Sequence, residues 1–206
     1  MRASELLDER GIAAIEAAVA AAERATSGEI VPVIVERSDT YAELRIGAAA
    51  LVAFAAGALA LLLAPAFERW LLPAQLGVFV ASGWLFGQRA LLRWLIPADV
   101  AAKRVARAAE LAFHAAGLVE TRDRTGILIY LSLLERHVIV LADRGIHTRV
   151  EAGTWDGVVA RVVAGIVARR AEAGLADGIR LCGEILSLHF PSRRDDVNEL
   201  PDSPQS

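Results

Sequence analysis

The sequence predicts a mixed α/β domain interrupted by a helical membrane hairpin. Two long uncharged apolar runs follow one another between Arg45 and Arg89, and shorter runs rich in β-branched residues stand on either side of them, next to stretches of helical period. The expected architecture is a small mixed sheet flanked by helices, an α/β sandwich assembled from segments before and after the hairpin.

The hairpin is expected over residues 46–96, with spans at about 46–67 and 70–88. The first run holds 22 residues and the second 19, none charged. At about 1.5 Å per residue they reach roughly 33 and 28 Å, against about 30 Å of hydrocarbon. Neither run alternates as a barrel strand would, so helices are the expected spanning form. Pro65 should stop the first helix, Glu68 and Arg69 should mark the far interface, and Pro73 is tolerated in the opening turn of the second. Gly83 and Gly87, four apart, are candidates for close helix contact. The competing reading, two core helices of a soluble protein, requires the polar stripe that these runs lack.

Basic residues set the expected orientation. Arg37, Arg45, Arg89, Arg93, Lys103, Arg104 and Arg107 flank the base of the hairpin, while Arg69 stands alone at its tip. The base is therefore expected to face the cytoplasm, with both termini inside and two spans in the inner membrane. Tyr41 and Trp94 suit the near interface, and Phe67 and Trp70 the far one.

The remaining elements follow in order. Residues 1–40 should give a first helix capped by Asp8, with Ile12, Ile15, Val19, Ala22 and Thr26 inward and Gly28 as its stop, then a strand from Glu29 to Glu36. Pro32 requires that strand to lie at an edge or to carry a bulge. Residues 98–190 should supply a helix capped by Asp99 and ended by Gly117, with Val105, Ala108 or Ala109, Ala112 and Phe113 inward. An antiparallel pair, Gly126–Leu134 and His137–Ala142, should turn at Glu135 and Arg136. Then come a helix from Trp155 to Ala173 capped by Thr154 and broken by Gly174, and a last helix over 175–188 with Ile179, Cys182, Ile185 and Leu186 inward. The helix between the first two strands makes a parallel crossover plausible. The tail, 191–206, is proline-rich and too poor in apolar residues to fold.

Composition narrows the functions. A formal charge of −3 gives no pull toward nucleic acid, and a single cysteine excludes an intrachain disulfide. Acidic residues interrupt the N-terminal region where a signal peptide would need an apolar core. His114, His137, His147 and His189 lack metal-ligand spacing, Cys182 reads as a packed core thiol, and no dinucleotide, P-loop or nucleophile-elbow motif is present. The segment Asp123-Arg124-Thr125-Gly126 resembles the phosphorylation motif of P-type ATPases, but Asp123 precedes its expected strand instead of following one.

TSGEIVPVIV at 26–35, DRTGILIYLSL at 123–133 and RHVIVLADRGI at 136–146 resemble the TPM domain, a family named after a thylakoid-lumen protein, a photosystem II repair protein and a receptor-auxiliary protein. The resemblance covers the part outside the hairpin and implies an α/β sandwich, membrane-tethered accessory or repair roles, weak phosphatase activity in one branch, and divalent-cation binding (Ca²⁺ or Mg²⁺) at acidic loops. The matching loop positions here are Asp123 and Asp143. Read from the residues alone, Asp123 caps a turn and Asp143 ends a hairpin strand, so both alternatives stand. No residue has a catalytic assignment, and no organic cofactor is expected. The first function expected is a non-enzymatic interaction module on a membrane anchor, with the bilayer and a membrane protein as partners; the second is a metal-assisted phosphohydrolase.

Overall fold

The computed structural model describes residues 9–63, 65–121, 123–151, 153–168, 170–192 and 204. In chain order these form α1 (Glu9–Glu23), β1 (Glu29–Val35), α2 (Ala42–Leu63), a 3-10 turn (Pro65–Trp70), α3 (Leu71–Phe86), α4 (Arg89–Leu95), α5 (Ala98–Ala115), a 3-10 turn (Leu118–Glu120), β2 (Gly126–Ser132), β3 (His137–Ala142), α6 (Arg144–His147), α7 (Asp156–Val167) and α8 (Ala171–His189). They fall into two compact units, Met1–Ser38 with Lys103–Ser206, and Asp39–Ala102.

The first unit is built on a three-stranded mixed sheet of order β1-β2-β3. β1 runs parallel to β2, from Glu29 opposite Gly126 to Val35 opposite Ser132. β3 runs antiparallel to β2, from Ser132 opposite His137 to Ile127 opposite Ala142. All seven residues of β2 are buried. That is why its sequence is apolar at nearly every position instead of alternating.

Each face of the sheet carries its own core. On one side Ile30, Ile34, Ile127, Ile129 and Leu131 meet Ile15 and Val19 of α1, Val158 and Val162 of α7, and Ile179 and Leu186 of α8. On the other, Val31, Val33, Leu128 and Tyr130 meet Val105, Ala109 and Phe113 of α5. Those three α5 residues recur at steps of four, so they form one stripe, with Ala109 fully buried in it and Ala108 partly buried at its side.

Pro32 lies at an edge without a bulge, pairing in register with Ile129. The backbone of a parallel strand points alternately toward and away from its neighbour. Glu29 N–H reaches Thr125 O, and Val35 O receives Leu133 N–H. The odd-numbered residues therefore face β2, and Ile30, Pro32 and Ile34 face the open edge. Proline's missing N–H costs no ladder bond there. The outward Ile30 N–H is itself occupied, donating to Glu23 Oε1 at 3.0 Å.

Several boundaries differ from expectation. α1 ends at Glu23, well before Gly28. Gly28 answers a close approach instead, since a Cβ there would stand 2.8 Å from Leu186 Cδ1. Asp8 lies outside the described residues. β2 stops at Ser132, because Leu133–Arg136 form a turn in which Arg136 takes φ 55°. Thr154 caps nothing: Trp155 precedes α7 and the Thr154 hydroxyl donates to Glu151 O. α7 ends at Val167 and α8 begins at Ala171, so Gly174 sits inside a helix. Gly165 and Gly174 mark the place where α7 and α8 touch, and a Cβ on Gly174 would fall 2.6 Å from Gly165 Cα. Pro191 is tied back by a bridge to Thr26, while nearly all of the tail beyond it lies outside the described residues.

The second unit is an antiparallel helix pair followed by a short helix. α2 ends just before Pro65, and Pro73 stands in the first turn of α3, where a missing N–H is harmless. α3 is shorter than the second apolar run. The chain leaves the helix at Gly87 and Gln88, and Gln88 is extended (ψ 135°) before α4.

The contact between α7 and α8 yields a prediction. Gly174→Ala should lower stability by about 1–3 kcal/mol, because backbone cannot give way to the new methyl. Gly157→Ala, whose Cβ would meet only Leu181 Cδ2 at 3.6 Å, should be neutral or gain up to about 1 kcal/mol of helix propensity. Denaturant titration followed by far-ultraviolet circular dichroism measures both; equal losses would refute the crossing.

Candidate functional site

The second unit is packed inside out. Ala49, Ala53 and Gly57, at steps of four, are the buried residues of α2, and Ser82 is the buried residue of α3. Small side chains therefore form the seam. A Cβ on Gly83 would lie 3.8 Å from the Ala49 methyl, and one on Gly57 would collide with Gln75 Nε2 at 2.6 Å. The polar side chains of the seam are satisfied by backbone carbonyls: Gln75 Nε2 donates across it to Ala53 O at 3.3 Å, and Ser82 Oγ donates within its own helix to Val78 O at 2.6 Å.

Large apolar side chains point the other way. Leu51, Phe54, Leu62 and Leu63 of α2 and Leu72, Leu76, Val80 and Trp84 of α3 are all exposed. No soluble surface normally carries so large a continuous apolar area. Among the described residues one helix, α2, is long and apolar enough to cross a membrane, with mean hydropathy 2.5. Residues 68–86 pass the same test only together with α4, from which they are bent by 93°.

Of the expected interface aromatics, Trp70 and Trp94 are exposed. Tyr41 is not: it is fully buried at φ 49°, with its N–H bound to Asp39 Oδ1 at 2.9 Å. The side chain of Phe67 is outside the described set. Gly83 lies on the seam as its spacing suggested, whereas Gly87 belongs to the C-terminal turn of α3, where a Cβ would stand 3.4 Å from Arg45 Nη1. The stronger signal was the Ala49, Ala53, Gly57 series, which is legible at four-residue spacing.

The loops carrying Asp123 and Asp143 meet at the end of the sheet where β2 begins and β3 ends. Gly145 N–H donates to Arg124 O at 3.0 Å, and a Cβ on Gly145 would be 2.6 Å from Asp123 O, so only glycine fits. Asp143 is buried and caps α6, its Oδ1 accepting from Arg144 N–H at 2.6 Å. Its Oδ2 lies 3.7 Å from the Arg124 guanidinium. Asp123 is exposed. The backbone converges, but a cation enters Asp143's coordination only by competing with Arg124. Among the described residues no three His, Cys, Asp or Glu side chains form a group that could hold a metal ion. Ca²⁺ takes about six to eight oxygens, more than two carboxylates supply, so a cation held here would need further oxygens from backbone or water.

A second polar group gathers at the opposite end, where β1 and β2 finish. Ser132 Oγ donates to Glu135 Oε2 at 2.5 Å, and Ser38 N–H donates to Glu135 Oε1 at 3.0 Å. Ser38 Oγ and Tyr130 OH lie 3.3 Å apart. Leu133 and Leu134 add backbone bonds to Val35 O and Glu36 O. The β2–β3 turn is thus laced to the segment that leaves β1, and Ser38 is the last residue before the second unit. Only the Ser132–Glu135 spacing was visible in the sequence; Ser38 and Tyr130 stand 92 residues apart. Burial pushes the Tyr130 phenol above its ordinary range, opposed by the Ser38 hydrogen bond and reinforced by the Glu135 charge. Cys182 is buried, and desolvation pushes its thiol up to about 12, which favours the neutral thiol of a packed core residue.

No protein-family model and no curated protein matches the chain. Among solved structures it is similar to the NMR structure of the BA42 protein from the psychrophilic bacterium Bizionia argentinensis, with 21% identity, a TM-score of 0.63, and coverage of 99% of this chain and 97% of that one. At that identity the likeness is one of fold.

Three measurements probe these ends of the sheet. Asp143→Ala should cost about 0.5–2 kcal/mol through the lost cap. Ca²⁺ should leave the melting temperature unchanged, whereas occupancy at a hundred times its dissociation constant would add about 2.7 kcal/mol. A thermal shift that Asp123→Asn abolishes would establish the cation site instead. At the other end, Tyr130 has a folded pKa above its unfolded value of 10.0. Its contribution is complete below pH 10 and is lost as pH rises past it. Tyr130→Phe should flatten that alkaline fall in a stability-versus-pH series; an unchanged slope would exclude Tyr130 as its source.

Proposed function

We propose that this chain is a membrane-anchored, TPM-like accessory domain: α2 and α3 cross the inner membrane as a hairpin, both termini lie in the cytoplasm, and the sheet domain assists a membrane-protein partner without chemistry of its own. The observation that carries the reading is the inverted packing of the second unit, small residues inward and leucine, phenylalanine and tryptophan outward. In lipid there is no hydrophobic drive between helices, and close backbone approach through small residues supplies the association.

The strand pairing supports two crossings over one. β1 precedes the insertion and β2 follows it, yet they pair residue for residue in one sheet. A chain that enters the bilayer between them must leave on the side it entered, so the number of crossings is even. α3 spans about 24 Å by its 16 helical residues, and the preceding turn from Glu68 extends the apolar reach. A short span is accommodated by local thinning of the bilayer at modest cost. The orientation rests on charge, with Arg45, Arg89 and Arg93 at the base and the neutralising pair Glu68 and Arg69 at the tip. No observation favours a metal-assisted phosphohydrolase over this reading.

Cysteine labelling in intact cells tests the topology. Ala66→Cys, at the exposed tip, should react with an impermeant maleimide, and Glu9→Cys should react only after permeabilisation. The native Cys182 should stay silent in both conditions, because it is buried. Labelling of Glu9→Cys from outside would invert the orientation, and equal labelling of both sites only after lysis would remove the anchor.

A further inference from the structure

We infer that α4 is an interfacial elbow that lies along the membrane surface at the base of the hairpin and binds the headgroups of anionic phospholipids; this rests on the membrane reading above. The geometry starts from the 93° bend between residues 68–86 and α4. If the preceding helix follows the bilayer normal, α4 runs in the bilayer plane.

Its seven residues divide accordingly. Arg89 and Arg93, four apart, share one face, while Leu91 and Trp94, three apart, share the opposite one. Leu92, only 2% exposed, points between them and fixes the helix to its own unit. Trp94 is 91% exposed, the most exposed large apolar side chain among the described residues. An indole on an exposed helix face beside arginines matches the chemistry of the headgroup layer, where one end of the ring is apolar and the other wet.

The charge pattern selects the lipid. Arg45, in the first turn of α2, brings its guanidinium beside Gly87 at the C-terminal end of α3, so three arginines mark the base of the second unit. Asp39 and Glu43 precede Arg45 and Asp99 follows in α5, so the positive charge is concentrated on α4 itself, which holds two arginines and no acid. Arginine pairs with phosphate through a planar fork, and each cation near an anionic surface strengthens attachment. The two arginines on α4 also argue against its turning back into hydrocarbon, where each would be costly.

The test uses the full chain in phosphatidylcholine bilayers, with Trp70, Trp84 and Trp155 replaced by phenylalanine so that Trp94 alone reports. Phosphatidylglycerol brominated near the headgroup should quench its emission more strongly than equally brominated phosphatidylcholine at the same mole fraction. Arg93→Gln should reduce that lipid preference about fivefold, and Arg89→Gln by a similar factor. A companion protein keeping only Trp84 should be quenched by both lipids alike, with or without the arginines. Equal quenching of Trp94 by the two lipids, or no effect of the arginine substitutions, would overturn anionic-lipid binding. Stronger quenching of Trp94 by bromines deep in the acyl chains would place α4 in the hydrocarbon and overturn the elbow. Quenching of Trp84 without any of Trp94 would refute this inference alone, and silence of both would bring down the membrane reading with it.

Discussion

The parallel pairing of β1 with β2 is the constraint on which the rest of the structure depends. It joins two segments separated by the whole helical insertion, and it makes β2 a central strand buried on both faces. A parallel pair has no tight turn to hold its register, so other contacts must do so. The glutamate of the β2–β3 turn does this at one end, binding Ser132 and Ser38 together. At the other end Thr125 receives the Glu29 N–H on its carbonyl and donates its hydroxyl to Ser27 O. The entropic penalty of the long connection grows only with the logarithm of its length, which is why an insertion of this size is tolerable between paired strands.

The strands were legible because burial on both faces leaves an unmistakable residue pattern. EIVPVIV and GILIYLS contain almost nothing that could face water. Helix ends were harder to read, because a glycine has two uses that sequence does not distinguish. Gly117 ends a helix in the left-handed region at φ 72°. Gly28 and Gly174 are glycines for want of space beside Leu186 and Gly165, and neither ends anything. The loops of the two acids meet at one end of the sheet, and the partner of Asp143 there was invisible in the sequence. Arg124 adopts φ 56° in the turn between them, and its guanidinium meets Asp143. A carboxylate that reads as a cation ligand in sequence can equally be the buried half of an ion pair.

The two units obey opposite packing rules. In the sheet domain, large branched side chains fill the interior, and burying each contributes about 1.5–3 kcal/mol relative to exposure. In the hairpin the interior is alanine, glycine and serine, and the same large side chains lie outside. That inversion could be seen in the sequence only by asking where the small residues recur, since both helices are apolar all round. The second apolar run also shows why counting uncharged residues overstates a helix: Gly87 and Gln88 are uncharged, but they form the corner into α4 and add no helical length to α3.

Assembly order gives Pro32 its significance. β1 is synthesised before the insertion and β2 after it, so for that interval β1 is an apolar strand without its neighbour. Such a strand is a template for wrong pairing through its free backbone groups. Two of the outward donors are already out of play: Ile30 N–H is held by Glu23 of α1, the helix made just before it, and Pro32 has none to offer. The edge that stays open in the finished sheet is thus the edge blunted by local sequence, while the inward edge, with its Glu29, Val31 and Val33 groups intact, is left for β2. Pro32 weakens no native ladder bond, and it removes a donor that a competing strand would need. The proline that looked like an objection to a strand is the residue that directs its pairing.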